Sequence, residues 1–344
     1  MKTVFVGLSG GVDSSVAALL LKQQGYRVVG VYMKNWSRSL PGFNCPWKED
    51  YQDAKRIAVQ LKIDFLLFDF EKEYQEKVVN YMVDEYKEGR TPNPDIACNQ
   101  EIKFKLFSET AFDQGADLIA TGHYAKTSNG QLFKAKDQKK DQTYFLYRVT
   151  EKSLRRTIFP LGEYFKTDIR KMAEENNLVT SQKKESMGIC FVGKVGIKEF
   201  LSSFVETEPG PIIDQNGITI GQHDGAIFYT IGQRHGLVVG GGLPYYVTGK
   251  NMDTNEVFVT SKLNDQKLWT NEISVDSWYW INKEPDFNDK FVARYRHLGP
   301  YEEVKIKNNK LLFDNEIKTV NPGQSVVIYK DNLVLGGGIV SLAM

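Results

Sequence analysis

The sequence contains few cysteines: its 344 residues include only Cys45, Cys98 and Cys190, and no two of them form a CxxC pair. So small and odd a number argues against a disulfide framework and against a structural zinc site. No apolar run is long enough to span a membrane. The first β-like run starts almost at residue 1, so we expect no signal or transit peptide. Together these absences predict a cytoplasmic protein.

Net charge is also nearly absent, at +1 for the whole chain, but the charges are unevenly distributed. Residues 126–200 contain 16 Lys and Arg against 9 Asp and Glu. This basic stretch includes Lys140, Lys166 and Arg170. One interpretation is a solvated helical surface. The other is a binding site for the phosphate backbone of a nucleic acid, which depends on clustered cations rather than on total charge.

A glycine loop near the N-terminus lacks the lysine that follows the glycines of GxxxxGK[ST] nucleotide-binding loops. It reads SGGVDS (residues 9–14) and lies between the β-like run TVFVGL and a helical run. Gly10 and Gly11 allow the backbone to approach an anion, and the following helix N-terminus favours negative charge. The loop resembles the PP-loop of ATP pyrophosphatases, which cleave ATP to AMP and pyrophosphate. The alternative is an ordinary glycine turn.

The first half of the chain alternates strand and helix patterns, which predicts an α/β fold with a doubly wound parallel sheet. Strands are expected at 27–33, 64–70 and 117–123, and helices at about 50–61, 71–87 and 99–114. In such sheets the ligand lies beyond the carboxyl ends of the strands. The segment TPNPDIAC (91–98) contains two prolines, which we expect to exclude regular helix and to form a shaped loop.

From about residue 210 the helical periodicity fades, and short β-like segments such as AIFYTIG, EVFVTS and QSVVIYK follow one another. Their spacing is typical of small β domains and barrels. We therefore expect a PP-loop catalytic domain at 1–200, a small central β domain at 201–265 and a C-terminal β-barrel at 266–344.

Several motifs must be considered together to choose among PP-loop enzymes: GLSGGVDSSVAA, TPNPDIACN, ATGHYA, KDQTYFLY, SMGICF, YTIGQRHGL and ARYRHLGP. In this order the set resembles the tRNA-specific 2-thiouridylases, and the similarity covers essentially the whole chain. The resemblance implies adenylation of the C2 oxygen of the wobble uridine (position 34). Sulfur then replaces that oxygen, and AMP and pyrophosphate are released.

The resemblance also implies roles for two cysteines. Cys190 matches the persulfide position and Cys98 the catalytic thiol, and both routes to the product end in a transient Cys98–Cys190 disulfide. The persulfide attacks the adenylated carbon directly, or Cys98 first releases its sulfur as sulfide. Asp95, three residues before Cys98, is an acid–base candidate. An iron–sulfur cluster on Cys98, Cys190 and Asp95 is a less favoured alternative. Cys45 matches no motif position and is expected to pack as a small hydrophobe.

The same resemblance implies binding residues, each inferred from the motif position that it matches. Those matching ATP contacts are Gly7, Leu8, Ser9, Gly10, Gly11, Val12, Asp13, Ser14, Met33 and Gly122. Those matching contacts to the target base are Asn93, Pro94 and Asp95. Those matching contacts to tRNA are His123, Lys140, Asp141, Gln142, Arg294, Tyr295 and Gln324. No residue is predicted to be a metal ligand.

The implied cofactors are ATP and Mg²⁺. The implied partners are the tRNAs for Lys, Glu and Gln, and a cysteine desulfurase or sulfur-relay protein, because no part of the sequence resembles a pyridoxal-phosphate site. Two rival functions remain. One is another PP-loop enzyme, such as an argininosuccinate, GMP or NAD synthetase. The other is a tRNA-binding protein whose PP-loop is inactive. The motif-paired cysteines disfavour the first rival, and the intact loop disfavours the second.

Overall fold

The N-terminal half of the chain is built on a parallel sheet. The computed structural model describes residues 1–40, 44–184, 196–237, 239 and 244–341. The first seven strands are β1 (Thr3–Gly7), β2 (Arg27–Lys34), β3 (Asp64–Asp69), β4 (Leu118–Ala120), β5 (Lys126–Ser128), β6 (Gln131–Phe133) and β7 (Thr157–Ile158). Five of them form one sheet in the order β3–β2–β1–β4–β7, with every neighbouring pair parallel. The parallel sheet predicted from the sequence is confirmed.

Helices cover both faces of this sheet. They are α1 (Val12–Gln23), α2 (Trp47–Leu61), α3 (Glu71–Tyr74), α4 (Tyr81–Lys87), α5 (Pro94–Ala97), α6 (Phe107–Asp113), α7 (Glu151–Leu154) and α8 (Lys166–Glu175). π-helical turns at Gln75–Asn80 and Cys98–Leu106 join α3 to α4 and α5 to α6. Val4 and Val6 of β1 pack in one apolar cluster with α1, α2 and α8, whereas Phe5 packs in another with the helices of residues 71–113. Alternate side chains of a strand point to opposite faces, so the sheet is doubly wound.

The prediction that the two prolines of TPNPDIAC exclude regular helix was wrong for the second proline. Pro94 is the first residue of α5, where its missing N–H costs no hydrogen bond. The Asn93 side-chain oxygen accepts hydrogen bonds from the backbone N–H groups of Asp95 (3.2 Å) and Ile96 (3.4 Å) and caps the helix. The chain is therefore helical from Pro94 to Asp113, and Cys98 lies one turn from the start of this helical segment.

A helix, α9 (Ile197–Leu201), precedes a second, four-stranded sheet. Its strands are β8 (Gly210–Ile213), β9 (Thr219–His223), β10 (Tyr246–Asn251) and β11 (Glu256–Thr260), in the order β10–β11–β8–β9. The expected strand at AIFYTIG was wrong, because Ala226–Phe228 is a 3₁₀ turn. Local bonds from Phe228 N to Gly225 O and from Tyr229 N to Ala226 O replace pairing to a neighbouring strand.

The C-terminal strands close into a six-stranded barrel. They are β12 (Trp269–Trp280), β13 (Phe291–Arg294), β14 (Glu302–Lys307), β15 (Lys310–Lys318), β16 (Ser325–Lys330) and β17 (Leu333–Val340). Pairing of β12 with both β15 and β17 closes the barrel, as predicted. The hairpin β5–β6, which lies more than 130 residues earlier in the chain, also joins this sheet, because Leu132 and Phe133 pair with β17. The barrel is thereby attached directly to the segment that follows β4.

Across the residues that the structure describes, no helix combines the length and the apolar composition that crossing a membrane requires.

Candidate functional site

The SGGVDS loop connects the carboxyl end of β1 to the N-terminus of α1. Gly10 has a φ of +73°, and a Cβ there would collide with the carbonyl oxygen of Asp50, so this position requires glycine. Gly11 precedes α1 and offers no side chain to cap its first turn. The N–H groups of that turn are therefore directed toward the space beyond the loop, which is the arrangement that binds phosphate.

Serine hydroxyls stabilise the loop from inside. Ser14 Oγ accepts from Ser9 N at 3.2 Å and donates to Gly11 O at 3.2 Å, while Ser15 Oγ donates to Gly11 O at 2.7 Å. Leu8 and Val12 are buried in the apolar cluster under the loop. Their side chains hold the loop on the sheet, so any contact of these two residues with a nucleotide is made by their backbone.

Asp13 is held by two side chains that lie far away in the sequence. Lys166 Nζ contacts both carboxylate oxygens of Asp13, at 2.7 and 2.8 Å. The Tyr124 hydroxyl donates to Asp13 Oδ1 at 2.9 Å. The backbone N–H of Lys166 is in turn bound by the Asp137 carboxylate at 3.0 Å. A cation therefore lies beside the phosphate loop, although no lysine follows its glycines.

The role of Lys166 beside the loop was missed at the sequence level. There it counted only as one cation of the basic stretch, because its partner Asp13 is 153 residues away. No local spacing rule connects the two positions. Only the packing of α8 against α1 on the same face of the sheet brings them together.

Met33 and Gly122 adjoin the loop at the ends of β2 and β4, as the doubly wound fold predicts. A Cβ added to Gly7 would lie 2.9 Å from Met33 Cε, so these two residues are in close contact. A Cβ added to Gly122 would lie 2.8 Å from Ser14 N and 2.9 Å from Asp13 C. The carboxyl ends of three neighbouring strands thus meet around the N-terminus of α1.

Replacement of Gly122 by alanine tests this contact. The new methyl group would press on the backbone of Asp13 and Ser14 and displace the loop, so we expect the KM for ATP to rise about 10- to 100-fold. Pyrophosphate release at varied ATP concentration measures the effect. Gly249→Ala is the control, because a Cβ there meets only the Phe258 ring at 3.8 Å. An unchanged KM for ATP in Gly122→Ala would show that the loop does not depend on this contact.

The charged and hydrogen-bonding groups around the loop show whether ATP and Mg²⁺ would fit there. The uncapped helix N-terminus, the close backbone approach that Gly10 allows and the Lys166 ammonium suit a polyphosphate. Asp13 is the carboxylate of the loop, and no cluster of three His, Cys, Asp or Glu able to hold a metal ion occurs within the described ranges. Magnesium would therefore be carried by the substrate phosphates, because both Asp13 carboxylate oxygens are already bound by Lys166.

Cys98 lies on the opposite face of the sheet from α1, in the helical segment that begins at Pro94. Its side chain is buried, with 1% exposed, and the next residue, Asn99, donates from Nδ2 to Phe145 O at 3.0 Å. Neither Cys98 nor Cys45 forms a disulfide with another described residue. Cys190 and the rest of SMGIC lie outside the described residues. The Cys98–Cys190 pairing therefore stays a prediction.

Cys45 is half-buried, as expected for a packed thiol. Its Sγ lies 3.5 Å from Trp36 O, and burial raises the pKa of the Cys45 thiol above its ordinary value. A raised pKa reduces the thiolate fraction at neutral pH. The environment of Cys45 therefore disfavours a nucleophilic role.

The residues that match tRNA contacts separate into two groups by exposure. Lys140, Gln142 and Gln324 are partly exposed, whereas Asp141, Arg294 and Tyr295 are buried. His123 is partly exposed as a residue, but its imidazole is enclosed by aromatic rings. The Asp141 carboxylate accepts from Ala135 N at 2.7 Å and lies 4.0 Å from Arg294 Nη1. Arg294 Nε donates to Gly299 O at 2.9 Å. These buried side chains join the basic stretch to the barrel, and their contact with tRNA stays a prediction.

The Gln142 side chain has an internal role that the sequence did not indicate. Its Oε1 accepts from Tyr124 N at 2.9 Å, and its backbone N–H donates to Tyr124 O at 2.9 Å. Since the Tyr124 hydroxyl binds Asp13, the KDQ segment is connected to the phosphate loop through one residue.

His123 lies between the rings of Phe104 and Phe159, and its Nδ1 is 2.8 Å from Thr121 Oγ1. Burial, together with the nearby Lys103 charge, lowers the pKa of His123 well below its ordinary value. The imidazole is therefore neutral at pH 7, and a contact with tRNA would not be an ion pair with phosphate. Phe104 belongs to the segment that carries Cys98, so His123 also connects the end of β4 to that segment.

The lowered pKa of His123 predicts a pH effect on stability. In the unfolded chain the imidazole titrates near its ordinary pKa of about 6.5, so the unfolded state binds more protons as the pH falls from 7 to 5. The free energy of unfolding therefore decreases over this interval. We expect thermal denaturation to show a smaller fall in Tm from pH 7 to pH 5 in His123→Gln than in the wild type. The exposed His235, changed to Gln, is the control; identical slopes for all three proteins would refute the prediction.

Three family models match consecutive parts of the chain. Their descriptions are tRNA methyl transferase HUP domain for residues 2–194, tRNA methyl transferase PRC-barrel domain for residues 198–261, and aminomethyltransferase beta-barrel domain for residues 270–340.

Curated relatives align along nearly the whole chain. The tRNA-specific 2-thiouridylase MnmA of Bacillus subtilis (strain 168) is 42% identical over 349 residues, covering 98% of this chain and 94% of that protein. The protein of the same name from Oceanobacillus iheyensis is 45% identical over 351 residues, with the same coverage of 98% and 94%. A solved 4-thiouridine synthetase–RNA complex with bound ATP has 21% identity and a TM-score of 0.39, and it covers 59% of this chain and 50% of that one. A TM-score this low gives no basis for inferring properties of this chain from that complex.

Proposed function

The chain belongs to the tRNA-specific 2-thiouridylase family, and from this membership we propose that it is an ATP-dependent tRNA sulfurtransferase. Its product is 2-thiouridine at the wobble position of tRNA, formed together with AMP and pyrophosphate. The observation that carries the proposal is that one residue, His123, connects the phosphate loop to the helical segment with the buried Cys98. His123, directly after the loop contact Gly122, packs on Phe104 of the segment that carries Cys98.

The first chemical step is activation of the uracil. The C2 oxygen attacks the α-phosphorus of ATP, the bond to the β-phosphate oxygen breaks, and pyrophosphate leaves. Lys166 and the N–H groups of α1 stabilise the charge that develops on the pyrophosphate. A carbonyl oxygen is a poor leaving group, whereas the resulting O-adenylate departs as AMP.

The second step transfers sulfur. In one route the terminal sulfur of a Cys190 persulfide attacks C2 and AMP leaves, after which the Cys98 thiolate attacks the Cys190 sulfur and releases the thiocarbonyl. In the other route Cys98 first attacks the persulfide, and the released sulfide attacks C2. Both routes form a Cys98–Cys190 disulfide, which an external two-electron reductant must reopen. Asp95 is the proposed proton acceptor or donor at the base.

The remaining site residues keep the roles that the resemblance implies. The loop residues with Met33 and Gly122 are proposed to bind ATP, and the segment 93–95 to contact the target base. The expected substrates are the tRNAs for Lys, Glu and Gln, whose unpaired wobble base can leave the stack and enter a pocket. The sulfur donor is proposed to be a cysteine desulfurase or relay protein, and the site of action the cytoplasm.

We divide the chain into a catalytic part (1–200), a central part (201–265) and a barrel part (266–344). Membership of the three sheets supports this division, because with one exception each sheet takes its strands from one part. The exception is the hairpin β5–β6, which belongs to the catalytic part and extends the barrel sheet. The basic stretch containing this hairpin is thus in contact with the barrel, which favours one continuous surface for tRNA.

The proposed function is tested by an in vitro thiolation reaction. The reaction contains purified protein, unmodified tRNA, ATP, Mg²⁺ and a cysteine desulfurase with cysteine. After the reaction the tRNA is digested and its nucleosides are identified by mass. We expect 2-thiouridine together with one pyrophosphate per modified base. A small-molecule synthetase would give no thiolated nucleoside with any tRNA, and an inactive tRNA-binding protein would bind tRNA without consuming ATP. Either result would refute the proposed function.

A further inference from the structure

The turn Asn321–Gln324 between β15 and β16 contacts both of the other parts of the chain. The Asn321 side chain binds both backbone groups of Ile231 in the central part. Its Oδ1 accepts from Ile231 N at 2.7 Å, and its Nδ2 donates to Ile231 O at 3.1 Å. An amide side chain that pairs with one residue's backbone in this way determines both the distance and the orientation between the two segments.

The same turn binds both backbone groups of Thr91 in the catalytic part. Thr91 N donates to Pro322 O at 2.7 Å, and Gln324 Nε2 donates to Thr91 O at 2.6 Å. Thr91 is the first residue of TPNPDIAC, and Cys98 follows seven residues later. The start of the segment that carries Cys98 is therefore held from the barrel.

Gly323 allows this approach. Its φ is +88°, and a Cβ there would lie 2.9 Å from Thr91 N and 3.0 Å from Arg90 Cβ. Arg90 is itself held by two hydrogen bonds to the Glu85 carboxylate, each 2.7 Å long. Thr91 is consequently fixed on one side by an ion-paired neighbour and on the other by the turn, and its position follows that of the barrel.

We propose that Gln324 is a positioning residue: it holds Thr91 and thereby sets the placement of Asp95 and Cys98 relative to the barrel. This inference rests on the proposed function, because it assigns the held segment to sulfur transfer. It differs from the tRNA contact that the resemblance implies for Gln324. The Gln324 amide donates its hydrogen bond within the protein, to a backbone oxygen at the base of the catalytic segment. Asn321 and Gly323 complete the same attachment.

The proposal is tested with two variants of the full-length protein, Gln324→Ala and Gln324→Glu. The control is Gln266→Ala, which changes an exposed glutamine of the C-terminal part. Three quantities are measured: the Kd for tRNA, the kcat for 2-thiouridine formation, and the rate at which iodoacetamide alkylates Cys98 in tRNA-free protein, followed on the Cys98 peptide by mass spectrometry. Because Cys98 is buried, its alkylation rate reports local opening of the segment.

For a positioning role we expect Cys98 alkylation at least threefold faster, kcat about tenfold lower and the Kd for tRNA within twofold of wild type. Gly323→Ala should give the same signature by displacing Thr91. If a variant does not fold, as judged by circular dichroism, Gln324→Met replaces it. A tenfold weaker Kd with unchanged alkylation would assign Gln324 to tRNA instead, and no change in any quantity would also overturn the proposal.

The alkylation measurement needs neither tRNA nor ATP. A wild-type protein that forms no 2-thiouridine therefore counts against the proposed function, while the alkylation rates still decide whether Gln324 holds the segment.

Discussion

Replacement of Lys166 by methionine is expected to reduce tRNA-dependent pyrophosphate release by about 100- to 1000-fold, the usual cost of removing one group that stabilises charge in a transition state. Lys166 Nζ lies 2.7 Å from Asp13 Oδ1 and its side chain is only 11% exposed, so water screens its charge weakly. Methionine preserves most of the length and of the apolar stem of lysine. Loss of activity would therefore report the missing charge rather than a missing volume.

The matched control for this variant is Lys171→Met on the same helix. Lys171 is exposed, and its Nζ lies 3.6 Å from Glu175 Oε1. An exposed ion pair of this kind contributes little to stability. We expect Lys171→Met to retain wild-type pyrophosphate release. Lys166→Arg should recover only part of the activity, since the guanidinium is wider than the ammonium in a closely packed site. A wild-type rate of pyrophosphate release in Lys166→Met would show that Lys166 does not contribute to the reaction.

Replacement of Cys98 by serine is expected to lower 2-thiouridine formation by roughly 1000-fold or more, as the loss of an enzyme nucleophile typically does. The serine hydroxyl has nearly the same size, but at neutral pH it ionises far less than a thiol and cannot form a disulfide with Cys190. In the proposed mechanism adenylation does not use Cys98. The variant should therefore still release pyrophosphate in a single burst of about one equivalent per enzyme and then stop. The stalled tRNA would be adenylated if released sulfide is the nucleophile, or joined to Cys190 through a disulfide if the persulfide attacks directly.

The sulfur source matters for the Cys98 experiment. A cysteine desulfurase must supply it, because free sulfide is able to attack an adenylated uracil without any protein thiol. Cys45→Ser is the control and should retain wild-type thiolation, given the raised pKa and partial burial of Cys45. Undiminished 2-thiouridine in Cys98→Ser would refute the two-cysteine mechanism, and a missing pyrophosphate burst would indicate that Cys98 also supports adenylation.

The fold and the phosphate loop were largely predictable because their signals are local. Alternating β-like and helical runs predicted the parallel sheet, and SGGVDS between a strand and a helix predicted an anion site. The prediction that Pro94 excludes regular helix was wrong. Proline is compatible with the first position of a helix, and Asn93 caps the helix that begins there. The strand expected at Ala226–Phe228 was also wrong, because local turn bonds replace strand pairing there.

The sequence by itself determined the class of chemistry. The glycine loop, the paired motifs around Cys98 and Cys190, and the basic stretch are each contiguous, and a short segment carries its conformational and chemical preferences with it. Only the tertiary structure decided which distant groups meet: Lys166 and Tyr124 at Asp13, Arg294 beside Asp141, and Gln324 at Thr91. These pairs are separated by more than 100 residues, and their proximity depends on the packing of helices on the sheet and on the closure of the barrel against the β5–β6 hairpin. No local preference of a residue encodes a contact of that kind.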